Sequence, residues 1–291
     1  MSVRLKSNLQ LLTAGVLWSL GGVFIKTVQV HPLAMASFRS LVALGILLIF
    51  LKGIPRFKFT MPLIIGALGY AGTSICFVTA NRLTTAANAI LLQYGSIIYI
   101  AILGYFLLHE KIRWFDFVAM AGVICGMFLF FFGGVSNGTT LGNFIAFLSG
   151  FTYTTMVICM RMDKNGRQLE MVVLGNLTIT LVGLPFLFTE FPALPELGPI
   201  AFIGIFQLAV PYIFFAKAAQ NASALDMTII PIVEPLLNPV WVYLVMGENP
   251  GIYTVIGGVV VLVMIIFRSI MTERVNTGKL GRRSSPDVNI P

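Results

Sequence analysis

Glu234 is the residue with the most chemistry to offer in this chain of 291 residues, because it stands inside a long apolar run, in the stretch PIVEPLLNP from Pro231 to Pro239. A carboxylate in such a run can carry a proton or bind a cationic group. In a membrane span it costs about 2.5 to 3.5 kcal/mol at the centre, which makes it a functional candidate by default. The interior prolines around it each remove a backbone donor and obstruct the carbonyl four residues back, and freed carbonyls of that kind line cavities. Asn238 and Trp241, four and seven residues on, share the face of Glu234 on a helix. The plainer alternative is a kinked helix whose Glu234 bonds to a neighbouring helix.

Arg39, in HPLAMASFRS, is the second intramembrane charge. Its long side chain can snorkel to an interface, or it can turn inward and pair with a carboxylate of the substrate or of the protein. Gln207, Pro211 and Tyr212 interrupt another apolar run, where Pro211 leaves the Gln207 carbonyl without its usual donor and suggests a cavity wall. Trp18, Tyr70, Gln93, Tyr94 and Tyr153 complete the candidates for a substrate-binding set, each with packing between helices as its alternative. Glu110 and Glu248 stand where one helix ends and the next begins, so a structural role is expected: accepting from free amides at the following helix start.

Catalytic and metal-binding constellations are not expected. His109 and Glu110 are followed by Arg113 where a zincin helix needs its second His, no GxSxG elbow occurs, and the chain has two histidines. Cys76, Cys125 and Cys159 fall far apart in apolar windows and read as packing residues. Neither an enzyme nor a cofactor is therefore expected.

The elements that must position these residues follow from composition. Apolar residues make up 57% and charged residues 10%, against roughly 25% charged in soluble domains, and mean hydropathy is +0.92. A spanning helix needs about 20 apolar residues. Ten windows qualify, at 8–28, 33–51, 61–80, 86–108, 114–132, 140–161, 170–189, 198–219, 226–246 and 252–271. The first follows Arg4 and Lys6 but lacks a small-x-small cleavage site, and reads as a retained helix. Sixteen of the nineteen Lys and Arg fall on one side of this arrangement, Lys26 and Arg82 on the other, and Arg39 within the second helix. By the positive-inside rule both termini are expected in the cytoplasm, with the net charge of +8 a topology signal rather than a nucleic-acid signal. The tail 272–291 is polar and basic and reads as disordered.

Residues 133–139 carry the Gly/Ser/Thr-rich linker that divides the spans into halves at 8–132 and 140–271. Shifting the chain on itself by 138 sets 66–110 on 204–248 without a gap, matching Gly66 with Gly204, Ala86 with Ala224 and Glu110 with Glu248 among others. A shift of 135 sets Gly15 on Gly150, Trp18 on Tyr153 and Lys26 on Arg161. Five helices per half force the second half to enter the membrane from the opposite side. Such inverted repeats characterise secondary transporters, which bind near the midplane. Ser96 stands opposite Glu234 in this register, so a symmetric acid is missing.

The order of these motifs resembles the EamA family of the drug/metabolite transporter superfamily. AGVLWSLGGVFIK, MASFRSLVAL and LLHEKIRWFDFVAMAGVICGMFL carry the likeness in the first half, and IVEP with VMGENPGIYTVIGGVVVL in the second. The resemblance implies ten helices as two five-helix modules and alternating access for small metabolites, often export of amino acids or related compounds. The residues it touches are Arg39, Glu234, Glu110 and Glu248, and more loosely Trp18 and Lys26. The expectation is a plasma-membrane carrier, an exporter or exchanger of a small polar or amphipathic metabolite, with protons as a candidate coupling ion through Glu234 and a homodimer left open. A non-transporting accessory subunit is the alternative; it has no need of Arg39, Gln207, Glu234 and Asn238 at membrane depth.

Overall fold

A computed structural model of the chain describes residues 3–20, 30–132, 139–246 and 251–283. Every regular element among them is helical, as expected where no water is present to satisfy a free backbone. In chain order these are α1 (Val3–Ser19), α2 (Pro32–Phe50), α3 (Met61–Leu83), α4 (Ala86–Gln93), α5 (Ser96–Leu108), α6 (Trp114–Phe130), α7 (Thr140–Met162) and α8 (Gln168–Thr189). Then follow α9 (Leu194–Ile203), a π-helical stretch (Gly204–Ala209), α10 (Val210–Ala219), α11 (Ala224–Ile229), a 3₁₀ turn (Ile230–Ile232), α12 (Val233–Met246) and α13 (Ile252–Arg283). Seven helical segments are long and apolar enough to cross a membrane, with Asn88–Leu108 and Leu194–Ala219 each counted as one, and α6 is a shorter apolar helix of 17 residues. The protein is thus an all-helical membrane protein.

Helix starts follow local chemistry. Thr60, Thr85, Thr139 and Ser223 each accept a hydrogen bond from an amide in the first turn of the helix they precede, which satisfies a donor that has no partner within the helix. Three expected spans are interrupted. The one over 86–108 breaks at Tyr94 and Gly95, and the one over 226–246 tightens into the turn around Pro231. The one over 198–219 widens just before Pro211, where the Val210 amide bonds to the Ile205 carbonyl five residues back. Proline explains the last two, because it cannot supply the amide that a regular turn needs. The last helix runs past the expected end at 271 to Arg283. Lys26, Glu248, residues 133–138 of the linker and 284–291 of the tail lie outside the described residues.

Packing interleaves the early and late parts of the chain: α3 lies on α7 and α8, α1 on α10 and α12, and α6 on α13. Two glycines allow the closest approaches. A Cβ on Gly15 of α1 would lie 2.6 Å from Val233 Cγ1 and 3.1 Å from the Pro231 carbonyl oxygen, so α1 rests directly on the proline turn. A Cβ on Gly150 of α7 would lie 2.6 Å from the Gln93 carbonyl oxygen, so α7 rests on the break between α4 and α5. Gly126, the second member of the small-xxx-small step with Gly122, brings α6 against Val261 and the Gly257 carbonyl of α13.

Candidate functional site

Four of the aromatic candidates come together where α1, α3, α7 and α10 meet. The rings of Trp18 and Tyr212 lie 5.1 Å apart, those of Tyr70 and Tyr212 4.7 Å, and Phe215 links the set, 5.3 Å from Trp18 and 6.4 Å from Tyr153. Tilted and edge-on ring contacts at these separations are the favourable geometry for aromatic pairs. Tyr70 is 1% exposed, and its hydroxyl accepts from Asn176 of α8 at 3.0 Å. The Tyr153 hydroxyl donates to the Met227 carbonyl at 2.9 Å, tying α7 to α11.

Arg39 turns inward. Its guanidinium donates to Ser74 Oγ of α3 at 2.8 Å and to Gln207 Oε1 at 3.5 Å, while its Nε is buried with no acceptor among the described residues. Among the described residues no carboxylate lies within ion-pairing distance of it, although the residue is only 5% exposed. Gln207, held by Arg39, passes its own amide on to the Trp18 carbonyl at 3.5 Å. The widened turn over 204–209 carries the Gln207 side chain and puts Tyr212 one turn further on. Tyr212 is therefore flanked by the Arg39 charge.

Glu234 lies at the start of α12, just after the proline turn, and is half-buried. Its electrostatic neighbours are Tyr94, Tyr153 and Tyr212. It enters none of the ion pairs found among the described residues. Tyr212 thus lies within electrostatic reach of both a cation and an acid, and neither has an ion-pair partner among the described residues. A single molecule bearing both an anionic and a cationic group can satisfy both, and desolvated charges of this kind gain most from a matched partner.

The other candidates are more committed. Gln93 donates to Ser149 of α7 at 3.1 Å, and Trp241 donates through Nε1 to Ser19 at 2.8 Å, next to Trp18 in sequence. Asn238 falls on α12, and its side chain lies outside the described ones. Sequence reasoning did not single out Ser74, Asn176 or Phe215. Asn176, buried in the middle of an apolar helix, could have been found by the rule that singled out Gln207.

A second polar concentration lies at the end of the bundle that carries the N-terminal turn of α1. There a cavity of about 600 Å³ is lined by Arg4, Glu110, Asp116, Arg161, Asp226 and Arg268 among others. Arg161 of α7 pairs with Glu110 at 3.2 Å, and Arg268 of α13 pairs with Asp116 at 2.9 Å and with Asp226, which Arg4 also reaches at 3.1 Å. Glu110 does accept from a free helix-start amide, but from Ala224 of α11 at 3.0 Å rather than from the helix that follows it. Burial pushes the Glu110 carboxyl above the usual carboxylate range, and the Arg161 charge only partly offsets this. Asp116, Asp226 and Arg268 fell within expected spans without being weighed as a group.

The long apolar helices define a multi-pass membrane protein. The profile of the EamA-like transporter family matches residues 5–132 and again 140–270, and the chain belongs to that family, of the drug/metabolite transporter type. An uncharacterized transporter of Methanothermobacter thermautotrophicus is 21% identical over 89% of this chain and 84% of its own. The pseudopaline exporter CntI of Pseudomonas aeruginosa is 26% identical over 79% of this chain and 83% of its own. A protein of known crystal structure superposes with a TM-score of 0.80 over 94% of this chain and 99% of that one, at 16% identity, which establishes a shared fold.

Proposed function

We propose that this protein is a secondary carrier, an exporter or exchanger, for a small zwitterionic or amphipathic metabolite such as an amino acid. The observation that carries this reading is the pair of charges near Tyr212 that have no ion-pair partner among the described residues: buried Arg39 without a carboxylate and Glu234 without a cation. The substrate carboxylate would meet Arg39, Ser74 and Gln207, its amino group would meet Glu234, and its apolar body would pack among Trp18, Tyr70 and Tyr212. Tyr94, Tyr153, Asn238 and Trp241 would complete the wall, with Gln93 supporting it through Ser149. Export as the direction draws on the relative whose name describes an exporter of pseudopaline.

In this reading the chain makes ten crossings as two five-helix halves of opposite orientation, over 8–132 and 140–271, in the plasma membrane with both termini cytoplasmic. Reciprocal packing supports it. Gly15 and Gly150 are matched at a separation of 135, and the carbonyls they rest on, of Pro231 and Gln93, are matched at 138. Each half thus seats its first helix on the break in the other half's fourth, as a carrier that rocks one module against the other requires.

The test is substrate counterflow in proteoliposomes with a panel of amino acids, polyamines and nucleosides. Amino acids are expected to exchange; exchange of none of the panel by folded protein would sink the carrier reading. Proton coupling through Glu234 predicts that Glu234→Gln, which also weakens binding of the substrate amino group, still exchanges substrate at concentrations that saturate the weakened site but loses uphill transport driven by a pH gradient. A variant that still concentrates substrate in response to pH would rule that role out.

A further inference from the structure

Equivalent positions of the two halves close the two ends of the bundle, and they do so with different chemistry. Thr85 opens α4 by accepting from the Asn88 amide at 3.1 Å, and Ser223, 138 residues on, opens α11 by accepting from the Asp226 amide at 3.1 Å. The same separation sets Asp116 against Thr254, each in the first turn of its helix, and Phe130 of α6 against Arg268 of α13. At the end near the N-terminus, Arg268 bridges Asp116 and Asp226, and Arg4 of α1 joins Asp226. At the opposite end Thr254 donates to the Phe130 carbonyl at 3.2 Å, and Asn88 donates to Asn143 Oδ1 at 3.2 Å and Thr84 Oγ1 at 3.3 Å. At these matched positions, one end has a buried ionic hub and the other has hydroxyls and amides. The ion pairs of Arg4, Arg161 and Arg268 all lie at the first end.

The hub joins a fixed part to a part suited to move. Helices α6 and α13 are in backbone contact through Gly126 and Gly257 and form one rigid seat, on which Asp116 holds the Arg268 guanidinium in place. Asp226 belongs instead to the short α11, which leads through the proline turn to Glu234 eight residues later. Displacing α11 therefore moves the helix that carries the candidate substrate acid.

We propose that the contact of Asp226 with Arg268 and Arg4 is a latch that holds the carrier closed at the end bearing the N-terminus. Opening that end, the cytoplasmic one in the proposed orientation, is then a step that must break charged contacts. This rests on the carrier reading and its orientation, and adds to it which contacts guard the cytoplasmic side.

The test reads accessibility and needs no substrate, so it stands whether or not counterflow is found. In protein with Cys76, Cys125 and Cys159 replaced by alanine, Ser96→Cys places a thiol at the position matched to Glu234, where the native residue is 1% exposed. A charged, membrane-impermeant methanethiosulfonate is applied to each face of oriented vesicles. Asp226→Asn, which reproduces the Asn88 arrangement and keeps a side chain able to bond to Ser223, is expected to raise the labelling rate from the cytoplasmic face at least tenfold. Arg4→Gln, at a 21% exposed side chain, is expected to raise it less. Unchanged cytoplasmic labelling in a folded Asp226→Asn protein would overturn the latch. If that variant does not fold, unchanged labelling in Arg4→Gln would do the same.

Discussion

Replacing Arg39 with methionine separates a binding residue from a structural strut, because the two roles predict effects on stability of different sign. The guanidinium is 5% exposed, its Nε has no partner among the described residues, and it is held by two neutral acceptors, one of them at 3.5 Å. A buried charge without a counter-charge is costly, and exchanging buried ionic groups for apolar ones of similar size is commonly neutral or stabilising by about 1 to 4 kcal/mol. Arg39→Met should therefore leave the ligand-free protein as stable as wild type or more so. Losing the partner of a desolvated substrate carboxylate costs about 2 kcal/mol or more, which is about 30-fold in Kd. At a ligand concentration of about 100 times the wild-type Kd, the wild-type protein gains about 2.7 kcal/mol from binding and the variant about 0.9 kcal/mol. Thermal unfolding in detergent, with and without the amino acid identified by counterflow, measures both quantities. A variant that is destabilised when empty yet stabilised by ligand as much as wild type would show that Arg39 only braces Ser74 and Gln207.

Further outcomes follow from the packing and from Glu110. Gly150→Val should lower unfolding stability by about 1 to 3 kcal/mol, the usual cost of overpacking, since its Cβ would meet the Gln93 backbone rather than a side chain that can move; equal stability by thermal unfolding would mean that α7 does not sit that close. Glu110 has its folded-state pKa raised by burial, so protonation favours the folded state. Its contribution is present at low pH and is lost as pH rises through the folded-state pKa. Wild type should accordingly gain stability relative to Glu110→Gln as pH falls from 7 toward 4, and parallel stability profiles for the two proteins would contradict that sign.

The class of fold was legible because lipid imposes so strong a rule on composition: long apolar windows, few charges and basic loops on one side left little else to build. Arg39 and Glu234 were legible for the same reason, as charges where hydropathy forbids them. Their environment was not. Nothing in the spacing of Tyr70 and Tyr212 says that their rings lie 4.7 Å apart, since they belong to helices brought together only by tertiary packing. The break at Tyr94 and Gly95 is marked by a single glycine in an otherwise apolar run, too little to separate from an ordinary helical glycine. The ionic hub escaped because Arg4 and Arg268 serve equally well as topology charges, and a count of cations per side cannot tell a solvated arginine from one that is 3% exposed between two aspartates.

The reciprocal seating of Gly15 on Pro231 and of Gly150 on Gln93 has a consequence for how the protein is made. During synthesis the residues before the linker reach the bilayer before their docking partners exist, with Gly15 of α1 unmatched until residues 231–233 are inserted. A ribosome that stops after the linker would leave an orphan fragment in which α3 lacks α7 and α8 and α6 lacks α13, a natural substrate for membrane quality control. Two separately encoded modules, produced together, could in contrast find each other in the bilayer and rebuild the same interlock.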